Sequence, residues 1–150
     1  PEAVQAMKAI LRETGGPYHD ISTGQKPLYH AGACMISNYL VTLLESGMRL
    51  MEAAGMDRRT LFQAVRPLID GTLNNIRQKD PVDALTGPIV RGDIDTVAMH
   101  LKNIEANIPS EAELYRALGL KTVSMIEGQR SDREQAKKFR ELLKGGVKNE

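Results

Sequence analysis

Residues 26–55 read KPLYHAGACMISNYLVTLLESGMRLMEAAG, and the fold class turns on this stretch. Pro27 suits the first position of a helix, and Gly55 suits the stop just past its last turn. The residues between them predict one helix about 40 Å long at a rise of ~1.5 Å per residue. Leu28, Ala31, Met35, Ile36, Tyr39, Leu40, Leu43, Leu44, Met48, Leu50 and Met51 cover nearly its whole circumference, as on a central helix wrapped by others. At ~100° per residue, His30, Cys34, Ser37, Asn38 and Val41 share one narrow stripe, and all but the valine can hydrogen-bond. On a buried helix such a stripe needs partners, or a cavity holding water or ligand.

Working outward, residues 1–14 predict an amphipathic helix with Val4, Met7, Ile10 and Leu11 on its apolar face, ended by Gly15 and Gly16. Residues 17–22 predict a short extended strand with no partner in the sequence. Downstream, Asp57 caps a helix over 58–78 that Pro67 should kink or split, with Gly71 a second weak point. Residues 80–93, DPVDALTGPIVRGD, predict an irregular loop with one helical turn at 81–85. Asp93 caps the next helix, which runs to about Glu105. Past the break at Ile108 and Pro109, Ser110 with Glu113 reads as a capping box, and Gly119 interrupts the helix that follows. Ser131 with Glu134 reads as a second box, opening an exposed helix that stops at Gly145 and Gly146; the last four residues are expected to be disordered. The methionines are assigned to the core. The fold class is mainly α, a helical bundle around one long central helix.

A chain of 150 residues suffices for one domain with a real core. Twenty Lys and Arg nearly balance nineteen Asp and Glu, which gives no electrostatic case for a nucleic-acid or membrane partner. The single cysteine, Cys34, excludes an internal disulfide and fits a reducing, cytoplasmic setting. No apolar run reaches the ~18 residues of a membrane span, and no signal peptide is visible. There is no G-x-G-x-x-G, Walker loop, H-E-x-x-H or zinc-knuckle cysteine set, so the chain is not expected to bind a dinucleotide unaided.

Three groups of residues carry candidate chemistry. His30 and Cys34, four apart, have the spacing of two metal ligands, with His100 the third candidate; a buried thiol beside a hydrogen-bonded histidine is the commoner meaning, and no metal site is assigned. A carboxamide inside an apolar helix needs a specific partner, so Asn38 either bonds a neighbouring loop or contacts substrate or cofactor. Thr86, Gly87 and Pro88 shape a turn, and Arg91, Gly92 and Asp93 lead into a helix start, where free N–H groups favour anions. Arg91 can hold a carboxylate or phosphate there, or Asp93 can be a plain cap beside a solvated arginine. His100 lies two turns after Asp93 on the same face, so Asp93, Thr96 and His100 either line a cleft or leave an exposed histidine.

Two segments together, KPLYHAGACMISNYLVTL at 26–43 and ALTGPIVRGDIDTVAMHL at 84–101, carry a resemblance. They look like the C-terminal helical domain, itself of unknown function, in a family of Rossmann-like oxidoreductase relatives. The wider group resembles pyrroline-5-carboxylate reductase, ketopantoate reductase and the 6-phosphogluconate dehydrogenase superfamily. The resemblance covers about residues 15–128. It implies a 6-phosphogluconate dehydrogenase C-terminal-like bundle over 23–146. Residues 1–22 would then be the last helix and edge strand of an absent Rossmann domain, and 147–150 a disordered tail. It implies NAD(P) in the full-length parent, none for this chain alone, and a homodimer built by the helical domain. Asn38 sits where related dehydrogenases place an asparagine near the substrate. Their catalytic lysine lies one turn earlier, where this chain has Cys34, so His30 or His100 would have to donate the proton.

The leading expectation is therefore the substrate-binding and dimerisation domain of an NAD(P)-dependent reductase-like protein, with hydride transfer to a small acidic substrate in the parent. Its catalytic candidates are His30, Asn38 and His100, and its substrate contacts Ser37, Thr86, Gly87, Arg91 and Asp93. The rival is a non-catalytic helical dimerisation or interaction module.

Overall fold

A computed structural model describes residues 2–16 and 18–145. Nine α-helices occur among them: α1 (Glu2–Glu13), α2 (Lys26–Ile36), α3 (Asn38–Ala53), α4 (Arg58–Gln78), α5 (Pro81–Ala84), α6 (Pro88–Arg91), α7 (Ile94–Asn107), α8 (Ala112–Ile126) and α9 (Arg133–Lys144). No strand forms among the described residues; one isolated bridge pairs Glu127 with Ser131. The expected strand at 17–22 is absent: 18–22 is irregular and leads into a 3₁₀ turn, Thr23–Gln25, while Pro17 lies outside the described residues. With no neighbouring strand to share its hydrogen bonds, an extended segment gains nothing from ladder geometry. The disordered tail expected at 147–150 also lies outside the described residues.

The chain divides into two compact units, Pro1–Leu43 and Leu44–Glu150. In the first, α1 carries Lys8, whose Nζ donates to Asp20 Oδ2 at 2.5 Å, and Arg12, whose Nε donates to the Tyr18 hydroxyl at 3.3 Å. These exposed contacts hold the segment after α1 back along that helix.

The expected single long helix is two helices. Ser37 interrupts it with φ −101° and ψ −66°, its N–H donating to Ala33 O at 3.0 Å before α3 begins at Asn38. Adjacent serine and asparagine favour interruption because their short polar side chains compete for the main chain. Nor are these helices buried: no residue of α1, α2 or α3 is buried, and Leu28 and Ile36 are 77 and 79% exposed. Apolar character around a helix shows what it could bury, and the described residues supply no cover for these positions. The methionines follow suit: Met7, Met35, Met56, Met99 and Met125 are all exposed, against the expectation that they fill a core.

In the second unit, Asp57 caps α4 as its sequence predicts, accepting from Arg59 N–H at 3.0 Å. Helix α4 stays helical through Pro67 and Gly71, so the predicted split does not occur. Proline costs one N–H, and at this exposed position water can serve the Gln63 carbonyl left without a donor. Only Leu61 of α4 is buried.

The core lies further along the chain. Ile89 of α6, Val97 and Leu101 of α7, Val123 and Ile126 of α8, and Ala136, Phe139 and Leu143 of α9 make one buried cluster. Helix α9 was expected to be exposed; instead its Ala136, Phe139 and Leu143, three and four residues apart, present one apolar face, with Lys137, Lys138 and Glu141 outside. Its cap is Asp132, which accepts from Gln135 N–H at 2.8 Å, while Ser131 Oγ bonds Gln135 Oε1 at 2.7 Å, so the expected box of Ser131 and Glu134 is not made. Neither is the box at Ser110. Pro109–Glu111 forms a 3₁₀ turn that runs into α8 without a side-chain cap, and Glu111, 6% exposed, pairs with Arg49 of α3 at 2.6 Å. Arg140 of α9 pairs with Glu127 just after α8, tying the two helices at that end; the guanidinium holds the Glu127 carboxyl below the usual carboxylate range.

Gly119 does not interrupt α8. It is buried because Leu143 lies against it: a Cβ at 119 would come 2.8 Å from Leu143 Cδ2 and 3.1 Å from Cδ1. Leu143 is itself fully enclosed and has nowhere to withdraw. Gly119→Ala should therefore lower the unfolding free energy by about 1–3 kcal/mol in urea titrations, the usual cost of overpacking. The same substitution at Gly47 of α3, where a Cβ meets nothing within 4 Å, should be neutral or stabilising by ~0.5–1 kcal/mol.

Candidate functional site

The predicted site residues fall in both units. In the first, the polar stripe connects to itself: His30 Nε2 lies 3.6 Å from Cys34 Sγ, and Asn38 Nδ2 donates to the same sulfur at 3.8 Å. Each contact spans four residues, the rise of about one helical turn, so α2 sets the first and the passage into α3 sets the second. Cys34 is half-buried between two exposed partners, which replaces the expected buried thiol. Ser37, also exposed, forms the joint between the helices. An imidazole, a thiol and a carboxamide thus stand in line along α2 and the start of α3, helices that also expose Leu28, Met35, Ile36, Tyr39 and Val41. Among the described residues no three His, Cys, Asp or Glu side chains gather as a metal would require.

In the second unit, α5 and α6 bracket the turn at Thr86 and Gly87. Gly87 has φ +102°, where only glycine is comfortable, and its carbonyl accepts from Arg91 N–H at 3.2 Å to close the single turn of α6. Arg130, which the sequence did not single out, fixes this turn from 45 and more residues away: its Nη1 donates to Val82 O at 2.7 Å and Leu85 O at 2.8 Å, two carbonyls at the end of α5. The irregular loop expected at 80–93 is therefore two short helices joined by a braced turn.

Asp93 caps α7, accepting from Thr96 N–H at 3.1 Å and from Thr96 Oγ1 at 2.7 Å. These two bonds hold its carboxyl below the usual range, with a smaller contribution from the charge of Arg91. The α7 N-terminus thus carries a carboxylate of its own. Arg91 is exposed at the end of α6.

His100 is not a solvent-exposed histidine. Its Nδ1 lies 2.8 Å from the Tyr115 hydroxyl, with the two rings edge to face at 86°. Partial burial pushes the Tyr115 phenol above its ordinary range and keeps it protonated near neutral pH. Tyr115 lies on α8, fifteen residues on; no local spacing rule links residues on two different helices.

These features define a mainly helical domain, with no strand among its described residues. No described helix is long and apolar enough to cross a membrane. The chain belongs to a family described as a domain of unknown function (DUF2520), whose model matches residues 1–122. Helix α9, which supplies Phe139 and Leu143 to the core, lies beyond that match. No curated protein and no solved structure matches the chain.

The cap gives a pH prediction. A carboxyl whose folded pKa is depressed contributes stability that is present above its unfolded pKa and lost as pH falls through its folded pKa. Wild type should therefore melt higher than Asp93→Ala at neutral pH, and the gap in Tm should shrink as pH falls below the ordinary aspartate range. Calorimetric scans of both proteins from pH 7 downward measure it; a gap unchanged into strong acid would remove the charged cap from the account.

Proposed function

We propose that this chain is the substrate-binding and dimerisation domain of an NAD(P)-dependent reductase-like protein. The observation that carries the reading is the His30, Cys34 and Asn38 line on exposed helices that also carry exposed apolar residues. Polar groups placed in an apolar surface mark where orientation matters, while the surface around them supplies contact area. In this reading Asn38 and Ser37 hydrogen-bond the substrate, and His30 carries the proton; His100 is the alternative carrier through its Nε2. Within the second unit, the turn of Thr86 and Gly87 with Arg91 provides a cation for an acidic substrate, and Asp93 keeps that segment in place by capping α7. The dinucleotide would be held by residues outside this chain, so no reduction step is assigned to the residues here.

Dimerisation has its own support. In the second unit, α4 also exposes Phe62, Leu68, Leu73 and Ile76, and this helix holds none of the candidate site residues. The same fact favours the second reading, a dimerisation module with no catalysis. Asn38→Ala separates the two. Asn38 is exposed, so the substitution should leave Tm within about 2 °C of wild type. In the full-length protein, NAD(P)H-dependent reduction of small oxo and imino acids should fall by about 100-fold or more in kcat/KM. Undiminished turnover, or a full-length protein that reduces nothing, would favour the non-catalytic module.

A further inference from the structure

A second polar cluster lies outside the stripe, in a groove of the second unit with a volume of 480 Å³. Its walls are Leu50, Ala53 and Ala54 at the end of α3 and Ile104 of α7, and its polar groups are the His100 and Tyr115 pair with Asn103 and Asn107. That size is within the ~300–1,000 Å³ of small-molecule sites, and mostly apolar walls with few convergent polar groups are their usual composition.

We infer that this groove binds a neutral small molecule with an apolar body and one hydroxyl group. The absence of charge follows from the lining, in which none of the nine residues is Lys, Arg, Asp or Glu; an ionised guest would lose water and gain no counter-charge. The hydroxyl follows from hydrogen counting. A neutral imidazole and a phenol carry two polar hydrogens between them, and their mutual bond uses one. Whichever donates, one donor is left over: imidazole Nε2–H if the phenol donates, the phenol O–H if Nδ1–H donates. The asparagines supply the complement. Asn103 Nδ2 donates to Met99 O and Asn107 Nδ2 to Asn103 O, both at 2.8 Å, which leaves each Oδ1 as an acceptor. A hydroxyl both accepts and donates, so it answers the histidine–tyrosine pair and an asparagine at once; a bare hydrocarbon or a carboxylate does not. The inference needs no dinucleotide and does not depend on the reductase reading, in which His100 is the alternative proton carrier.

Titration of the full chain with 4-fluorophenol, followed by ¹⁹F NMR, tests it. Saturable binding is expected, with 4-fluorobenzoate and 4-fluorotoluene each at least about tenfold weaker, the loss expected for one unmatched polar group. Ala53→Phe, at an exposed position, should abolish binding by filling the groove, and Tyr115→Phe should weaken it about fivefold or more. Unsaturable binding of 4-fluorophenol overturns the inference. So does equal binding of 4-fluorobenzoate, or binding undiminished in both folded variants.

Discussion

The described core depends on how closely α9 lies against α8. Leu143 reaches the α8 main chain only because residue 119 has no side chain, and that approach brings Phe139 and Ala136 into the cluster with Val123 and Ile126. The ion pair of Arg140 and Glu127 adds a second tie, one turn before Leu143 on α9 and just past the end of α8. With α8 and α9 joined, α6 and α7 can close on them through Ile89, Val97 and Leu101. The turn at Gly87 is set by the same packing, since Ile89 anchors α6 in the core and Arg130, in the connection to α9, holds the carbonyls of α5. A candidate substrate segment is thus braced by elements that contribute no candidate chemistry, and Arg91, at the end of α6, is exposed while its main chain is held by Gly87 O.

The helices preceding this core obey a different balance. From α1 to α4 the chain is rich in apolar side chains and nearly empty of buried ones, Leu61 being the one buried residue of those helices. Isolated apolar residues on a surface need no explanation, but Leu28, Met35, Ile36, Tyr39 and Val41 on adjoining helical turns form more than a scatter. A second copy of the chain would cover such faces, and with them would come a reason for the polar line of His30, Cys34 and Asn38 to be where it is. Membership of the DUF2520 family establishes kinship over residues 1–122 and leaves chemistry to be argued from these side chains.

Local signals were legible wherever one residue acts on its own helix. Asp57 and Asp93 are caps because a short acceptor precedes a periodic apolar run, and Pro81 opens a helical turn as its fixed φ suggests. Several misreadings share a cause, which is that a neighbouring residue or a distant element competed. Asp132 displaced Ser131 as cap, and the turn at Pro109 left Ser110 without an N–H to accept. The apolar face of α9 was present in the spacing of Ala136, Phe139 and Leu143 but was outnumbered by surrounding charge. The long helix was legible in extent, apart from the joint at Ser37, yet its burial was not, because periodicity reports an apolar surface and not what lies against it. The partners of His100 and of the Gly87 turn, Tyr115 and Arg130, are tertiary facts with no local signature.

In the proposed dimer a second copy of the chain covers the exposed apolar faces of α2, α3 and α4. Sedimentation equilibrium of the chain across a range of micromolar concentrations tests that claim. The account predicts a species of twice the 16.5 kDa chain mass that gives way to monomer only on dilution. A mass of 16.5 kDa at every concentration would contradict it.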